Sequence, residues 1–319
     1  MKTHKKTDGL RAVYFMALLL FTVYVLLDTF VIPRTYTTAE SSASDTENPA
    51  GLGQEAQDST DGQAGTDSSA DERAVVADAD SYQDSHVSIQ ITTYREYDTN
   101  LYVADVTFTD AAYLRTAFAE NSYGKNVTET TSAIAAENQA ILAINGDYYG
   151  AHDRGYVLRN GTLYRERSAG DDQQDLVIDK NGTFSIISEG ETTAQELLTG
   201  GAEQVLSFGP GLLKNGEVTV TQNEEVDKAR TSNPRTAIGQ IGPLHIVLVV
   251  SDGRTSENAG LTLYQMAEFL QGLGVQTAYN LDGGGSSTLY FNGAVLNQPT
   301  SDGQHIQERS VSDIVYIGA

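Results

Sequence analysis

Residues 262–291 read TLYQMAEFLQGLGVQTAYNLDGGGSSTLYF. Apolar side chains recur at helical spacing over Leu263–Leu273, Thr262 suits an N-cap, and Gly274 supplies a C′ stop, so this part predicts an amphipathic helix. Gln276–Leu281 and Ser287–Phe291 read as strands on either side of the loop Asp282-Gly283-Gly284-Gly285-Ser286. The pattern therefore switches from helix to strands within thirty residues.

Working outward from this stretch, strands predominate. His245–Val250 is a fully apolar strand, and His86–Tyr94 with Leu101–Phe108 forms a pair around Asp98-Thr99-Asn100. Val127–Gln139 predicts a helix leading into the apolar strand Ala140–Ile144. Asn-Gly turns at Asn160-Gly161, Asn181-Gly182 and Asn215-Gly216 place hairpins over Tyr156–Tyr164, Leu176–Ile187 and Leu212–Val220. Ser312–Ile317 is a final strand. Strands, a helix, many strands, a second helix and more strands predict one α+β domain, a single β-rich mixed domain with a few helices over residues 86–319, rather than a wound parallel sheet.

The N-terminus has a different character. Lys2, Lys5, Lys6 and Arg11 form a basic tail over residues 1–11, and the apolar run of residues 12–32 follows. At about 1.5 Å per residue that run spans about 31 Å, which suits a single transmembrane helix with its N-terminus in the cytoplasm and the remainder extracellular. A cleaved signal peptide is the alternative, with Ser41-Ser42-Ala43 as a loose peptidase site. Residues 33–85 then read as an acidic, disordered stalk: residues 39–85 carry twelve acids against one base, Arg73.

Composition excludes several classes. The chain has 319 residues, no Cys and no Trp, so disulfides and thiolate chemistry are excluded. Its formal net charge is −23, and residues 86–319 hold 29 acids against 14 Lys or Arg. Such a surface argues against nucleic acid as a partner, and any anionic ligand must be met by a few locally placed arginines.

Polar residues crowd the ends of the apolar strands at four places. Asn145-Gly146-Asp147-Tyr148-Tyr149 follows one strand, Asn233-Pro234-Arg235-Thr236-Ala237 enters another, Asp252-Gly253-Arg254 follows a third, and Asn280 through Ser287 contains the glycine loop. Gly283, Gly284 and Gly285 would let backbone amides approach an anion, with Asp282 as base, nucleophile or ligand and Ser286 and Ser287 as donors. The plain alternative is a tight turn between strands. Arg235 and Arg254 equally suit solvated turns, and Asn145 and Asp147 could merely cap one. His86, His152, His245 and His305 lack metal-ligand spacing; His152 is the one that follows the Asp147 loop.

These motifs, in this order, together with Ser207-Phe208-Gly209-Pro210, Gly260-Leu261-Thr262 and Glu308-Arg309-Ser310-Val311, resemble the phosphodiester glycosidase family. Its animal members remove N-acetylglucosamine from phosphodiester-linked sugars, and bacterial relatives are associated with exopolysaccharide. The resemblance runs from about Leu101 to the C-terminus. Two departures stand out: the animal disulfides are impossible here, and Asp147 occupies a position where many relatives carry Gly. The resemblance implies hydrolysis of a sugar 1-phosphodiester in a cell-surface glycopolymer or exopolysaccharide. Asp282 would be the principal carboxylate and Asp252 the second acid or base, with Asp147 a third catalytic candidate. Asn145, Arg235, Arg254, Arg309, the Gly283–Gly285 amides, Ser286 and Ser287 would hold substrate and phosphate. The scheme names no cofactor; an alternative gives Asp252 and Asp282 to Ca²⁺ as oxygen ligands. A competing class is a non-catalytic module that binds a wall glycopolymer. Asp282 beside a second carboxylate would favour the enzyme, and Asp282 simply salt-bridged to an arginine would favour the module.

Overall fold

The computed structural model describes residues 14–25, 27, 31–36, 76–222 and 232–318. Its centre is a nine-stranded antiparallel sheet. In spatial order the strands are Glu217–Val218, Gly211–Lys214, Thr277–Leu281, Thr236–Gly242, His245–Ser251, Thr99–Phe108, Val87–Glu96, Ser81–Gln83 and Val76–Ala77. Two five-stranded sheets accompany it. One runs Ala294–Val295, Leu289–Phe291, Ala140–Asn145, Asp313–Gly318, Leu114–Phe118; the other runs Thr162–Arg165, Val157–Arg159, Ala202–Leu206, Gln174–Asp179, Phe184–Ser188.

Alternation along His245–Ser251 shows how the layers pack. Ile246, Leu248 and Val250 share a core with Leu142, Ile144, Leu289 and Val315 of one small sheet and Leu176, Ile178 and Leu206 of the other. Val247 and Val249 face the opposite way, against Leu263, Met266, Ala267 and Leu270 of the helix Leu263–Gly272. Both faces of this strand are buried, which explains its unbroken apolar run. The helix is capped as expected: Thr262 and Gln265 form a reciprocal capping box, and Gly274 takes φ +83°.

The β-rich mixed architecture with few helices agrees with the sequence reading, and the three Asn-Gly turns all join antiparallel strands. Val127–Gln139 is a shorter helix than expected, Thr131–Glu137, started by the Thr130 cap. The boundary at residue 86 is corrected. Val76–Ala77 and Ser81–Gln83 pair onto the sheet edge because Tyr82 buries its ring in the main core.

The chain just after the apolar run also docks. Arg34–Thr35 pairs antiparallel with Gly124–Lys125, and the Tyr36 amide donates to the Tyr123 carbonyl at 2.8 Å. A side chain at position 124 would collide with the Arg34 carbonyl, so glycine permits this pairing. Residues 33–36 therefore belong to ordered β-structure rather than to a stalk, whose remaining part, 37–75, lies outside the described residues. Residues 14–25 are helical with exposed apolar side chains. No helix among the described residues is long and apolar enough to cross a membrane. Residues 1–13, 26 and 28–30 of the basic tail and expected span lie outside the description.

Candidate active site

Strand register places the site. Thr236 lies opposite both Leu281 and Val250, and Ser251 lies opposite Leu101. The end of one strand, the start of the second and the end of the third therefore meet at one margin of the large sheet, carrying Asp282, Arg235 and Asp252. The small sheet joins them through Asn145, whose Nδ2 donates to the Asp282 carbonyl at 2.6 Å and whose Oδ1 accepts from Thr236 Oγ1 at 2.8 Å. Asn145 is fully buried, so it ties the two sheets together beneath the site rather than reaching a ligand.

A cleft of about 1270 Å³ opens at this margin, lined among others by Asp282, Gly283, Gly284, Arg235, Arg254 and Arg309. Arg309 Nη2 reaches both oxygens of Asp282, at 3.2 and 3.0 Å, and its Nε donates to Ser286 Oγ at 2.9 Å. Burial pushes the Asp282 carboxyl upward, opposed by Arg309 and by Ser286. Arg254 donates through Nε and Nη2 to Asn233 Oδ1. Its pKa is lowered by burial and by the neighbouring positive charge of Arg309. Arg235 is almost wholly buried, its Nε donating to the Leu261 carbonyl. Three guanidinium-bearing residues thus line one cleft with the Asp282 carboxylate in an acidic chain, and Arg309 and Arg254 are the two whose charges act on one another and on Asp282.

One of the three amides expected to cradle an anion, that of Gly284, is committed elsewhere in the fold. The Gly284 amide donates to the Pro234 carbonyl, and the Ser286 and Ser287 amides close a 3₁₀ turn on Gly283 and Gly284. The glycines also meet a packing requirement. Gly284 takes φ +63° against the Arg254 guanidinium, and a Cβ on Gly285 would strike Ser301. Ser286 positions Arg309. Ser287 is buried behind the turn, where its carbonyl accepts from Asn297.

Two carboxylates also stand elsewhere than predicted. Asp252 lies outside the cleft lining: its Oδ1 accepts from the Gln298 amide at 2.8 Å and its Oδ2 from Tyr102 at 3.2 Å. Burial nevertheless pushes its pKa up, opposed by the Gln298 amide. Asp147 is fully buried, paired at 2.8 Å with Arg159, which also meets Asp313 at 2.9 Å. It accepts the Ser207 amide at 2.7 Å as well, so it locks loops together and offers the cleft nothing. The residues also fit Ca²⁺ poorly. Asp282 shares its oxygens with a cation, Asp252 shares its own with Tyr102 and Gln298, and no group of three metal-ligating side chains occurs among the described residues.

The sequence reading missed Arg154, Arg167 and Gln173, which line the cleft together with Tyr148, His152 and Phe208. Tyr148 carried one local signal, its position next to a strand end, and it takes φ +65°, which is unusual for a ring-bearing residue. Arg154 and Arg167 carried none, since spacing alone does not separate them from surface charge. The Arg159–Asp313 pair joins residues far apart in the chain and was equally invisible.

Comparison with known proteins identifies the family and the fold. The family model for phosphodiester glycosidase matches residues 138–318. Mouse N-acetylglucosamine-1-phosphodiester alpha-N-acetylglucosaminidase is 31% identical over 183 residues, covering 51% of this chain and 34% of the mouse protein. An uncharacterized SPbeta prophage-derived protein of Bacillus subtilis is 29% identical over 199 residues, covering 61% of this chain and 30% of its own. The chain thus spans about a third of the length of these curated relatives. The zebrafish N-acetylglucosamine-1-phosphodiester alpha-N-acetylglucosaminidase catalytic domain, auto-inhibited by its pro-peptide, superposes with a TM-score of 0.57 at 24% identity, over 73% of this chain and 83% of that one. A hypothetical protein from Synechocystis superposes at 0.51 with 17% identity, over 73% and 62%. With the model matching more than half of its length, this chain belongs to the phosphodiester glycosidase family.

Proposed function

We propose that the cleft hydrolyses a sugar 1-phosphodiester, of the N-acetylglucosamine-1-phosphodiester kind named for the mammalian relatives, within a cell-surface glycopolymer. The observation that carries this reading is a cleft that Arg235, Arg254 and Arg309 line together with the buried Asp282, which Arg309 contacts directly, in a chain of net charge −23. The phosphodiester lies among the guanidinium groups. Arg309 exchanges its contact with Asp282 for the phosphate, which frees the carboxylate. Asp282 then takes a proton from a water whose oxygen bonds to C1, or attacks C1 itself to give a glycosyl-enzyme ester that water afterwards hydrolyses. In either route the C1–O bond breaks and its electron pair leaves with the phosphate monoester. Phosphate is a good leaving group, so the strong general acid of an ordinary glycosidase matters less here. In this reading the helix at the N-terminus anchors the domain in the cell membrane, with residues 1–11 cytoplasmic and the cleft extracellular.

Release of free N-acetylglucosamine from a soluble N-acetylglucosamine 1-phosphodiester by the full chain in detergent tests the reaction. A wall-binding module is the second reading, favoured by one observation: Asp282 is salt-bridged to Arg309 and Asp252 lies outside the cleft lining. Tight binding of the diester without turnover would establish that reading instead.

A further inference from the structure

A second cavity, of about 1070 Å³, lies beside the cleft, and His152, Asp153 and Arg167 line both. The two form one groove, larger than the few hundred to about a thousand Å³ that a single small ligand requires. The walls of the second part combine aromatic rings with cations. Tyr36, Tyr123 and Tyr164 line it together with Lys125.

The rings are held in place by their neighbours. Tyr123 stacks on the buried Tyr149 with centroids 5.3 Å apart and planes at 16°, and Tyr164 meets Phe118 edge-on at 4.9 Å. Tyr123 and Tyr164 are only half-buried, and Tyr36 is exposed, so aromatic surface remains open to a ligand. Fixed aromatic surface with a few placed polar groups suits the apolar C–H faces of pyranose rings, and Lys125 and Arg167 suit phosphate. Lys125 is held 2.9 Å from Asp153 on the shared wall. Arg165 is a different case: it donates to the carbonyls of Gly155, Tyr149 and His152 and so shapes the wall.

We propose that this second cavity is a subsite for sugar-phosphate units flanking the bond that is cut, so that the substrate is a chain of phosphodiester-linked sugars rather than a single diester. The inference rests on the proposed reaction for the identity of the linkage. Its occupant is argued from the continuity of the groove with the cleft and from cations gathered within an acidic chain. Tyr36 reaches the groove only because Arg34–Thr35 pairs with Gly124–Lys125, so the N-terminal strand completes the subsite.

Binding to the full chain carrying Asp282→Asn decides the matter, measured by calorimetry with two probes. One is a single N-acetylglucosamine 1-phosphodiester and the other an oligomer of several N-acetylglucosamine 1-phosphate units. The oligomer should bind about 10-fold more tightly or better, since the second contact becomes intramolecular. The double variant Tyr36→Ala/Tyr164→Ala should abolish that advantage and leave the single diester's affinity unchanged. Thr162→Trp, which blocks the groove from an exposed position, should do the same without removing the packed rings. Equal affinity for the two probes, or groove variants that leave the oligomer's advantage intact, would overturn the subsite. Turnover of the single diester by the unmodified chain is scored separately, so failure of the proposed reaction is distinguishable from failure of the subsite.

Discussion

Arg309 Nη2 sits within 3.2 Å of both carboxylate oxygens of Asp282, and the same nitrogen donates to the Gly283 carbonyl at 3.0 Å. The pair is asymmetric. The Asp282 side chain is 12% exposed and the Arg309 side chain 43%, so the carboxylate is fixed at the cleft floor while the guanidinium keeps access to solvent. A cation open to solvent and a carboxylate held at the cleft floor are what the proposed exchange with phosphate requires.

Removing the charge of Asp282 tests that role directly. Asp282→Asn should preserve the fold, since Arg309 retains Ser286, and should leave diester binding nearly unchanged. Its kcat should fall about 100-fold or more, the scale of losing one transition-state contact. Steady-state kinetics on the folded variant gives the answer, and a near-normal kcat would remove Asp282 from the chemistry.

Arg254 supplies a contrast between binding and chemistry. Its fork is held by Asn233 Oδ1 and, through Nη1, by the Ser301 carbonyl at 2.9 Å. Arg254→Lys keeps the charge but loses the planar donor set, so KM for the diester should rise about 10-fold with a smaller change in kcat. An unchanged KM would place the phosphate elsewhere in the cleft.

The buried triad predicts a pH dependence of stability. Burial and the charge of Asp147 push the Asp313 carboxyl up to about 7, against the pull of Arg159. The unfolded value is about 3.9, so between these values the folded state binds the extra proton. The stabilisation from this group is present below about pH 4 and is lost as pH rises through about 7. Melting curves for the full chain should show the melting temperature falling more steeply across that interval than it does in Asp313→Asn. Parallel profiles for the two proteins would mean that Asp313 holds no extra proton.

Arg159 should matter more for folding than for the reaction. Its guanidinium is 2% exposed and pairs with both buried acids, Asp147 and Asp313. Arg159→Leu leaves Asp147 and Asp313 uncompensated and should cost about 3–5 kcal/mol in urea denaturation. Adding Asp313→Asn should restore part of the loss. Equal stability of single and double variants would show that the triad is not acting through charge.

Topology is tested on cells. If the apolar run anchors the chain, protease added to intact cells should remove the β-rich domain and spare the N-terminal tail. Recovery of the domain in the cytosol would refute this orientation. Recovery wholly in the medium would favour cleavage of the N-terminal segment.

The amino-acid sequence by itself determined the local elements and the family. Thr262 and Gly274 bound one helix, Asn-Gly turns mark three hairpins, and the apolar run of His245–Val250 announces a strand buried on both faces, because each depends on neighbours within a few residues. Other elements escaped that reading. Ala202–Leu206 is a central strand whose Glu203 and Gln204 obscure the apolar pattern, and its pairing with Gln174–Asp179 and Val157–Arg159 depends on distant partners. Tertiary structure also decided which polar residues face the cleft. Asp282 and Asp252 look alike as carboxylates at strand ends, yet one meets Arg309 in the cleft and the other meets Tyr102 and the Gln298 amide outside its lining. Asp147, the most prominent acid of its motif, is consumed by Arg159, and Arg154 and Arg167 enter the cleft through loops with no signature of their own. Side-chain direction at a strand end follows from which sheet packs against it, and that information lies in contacts between residues far apart in the chain.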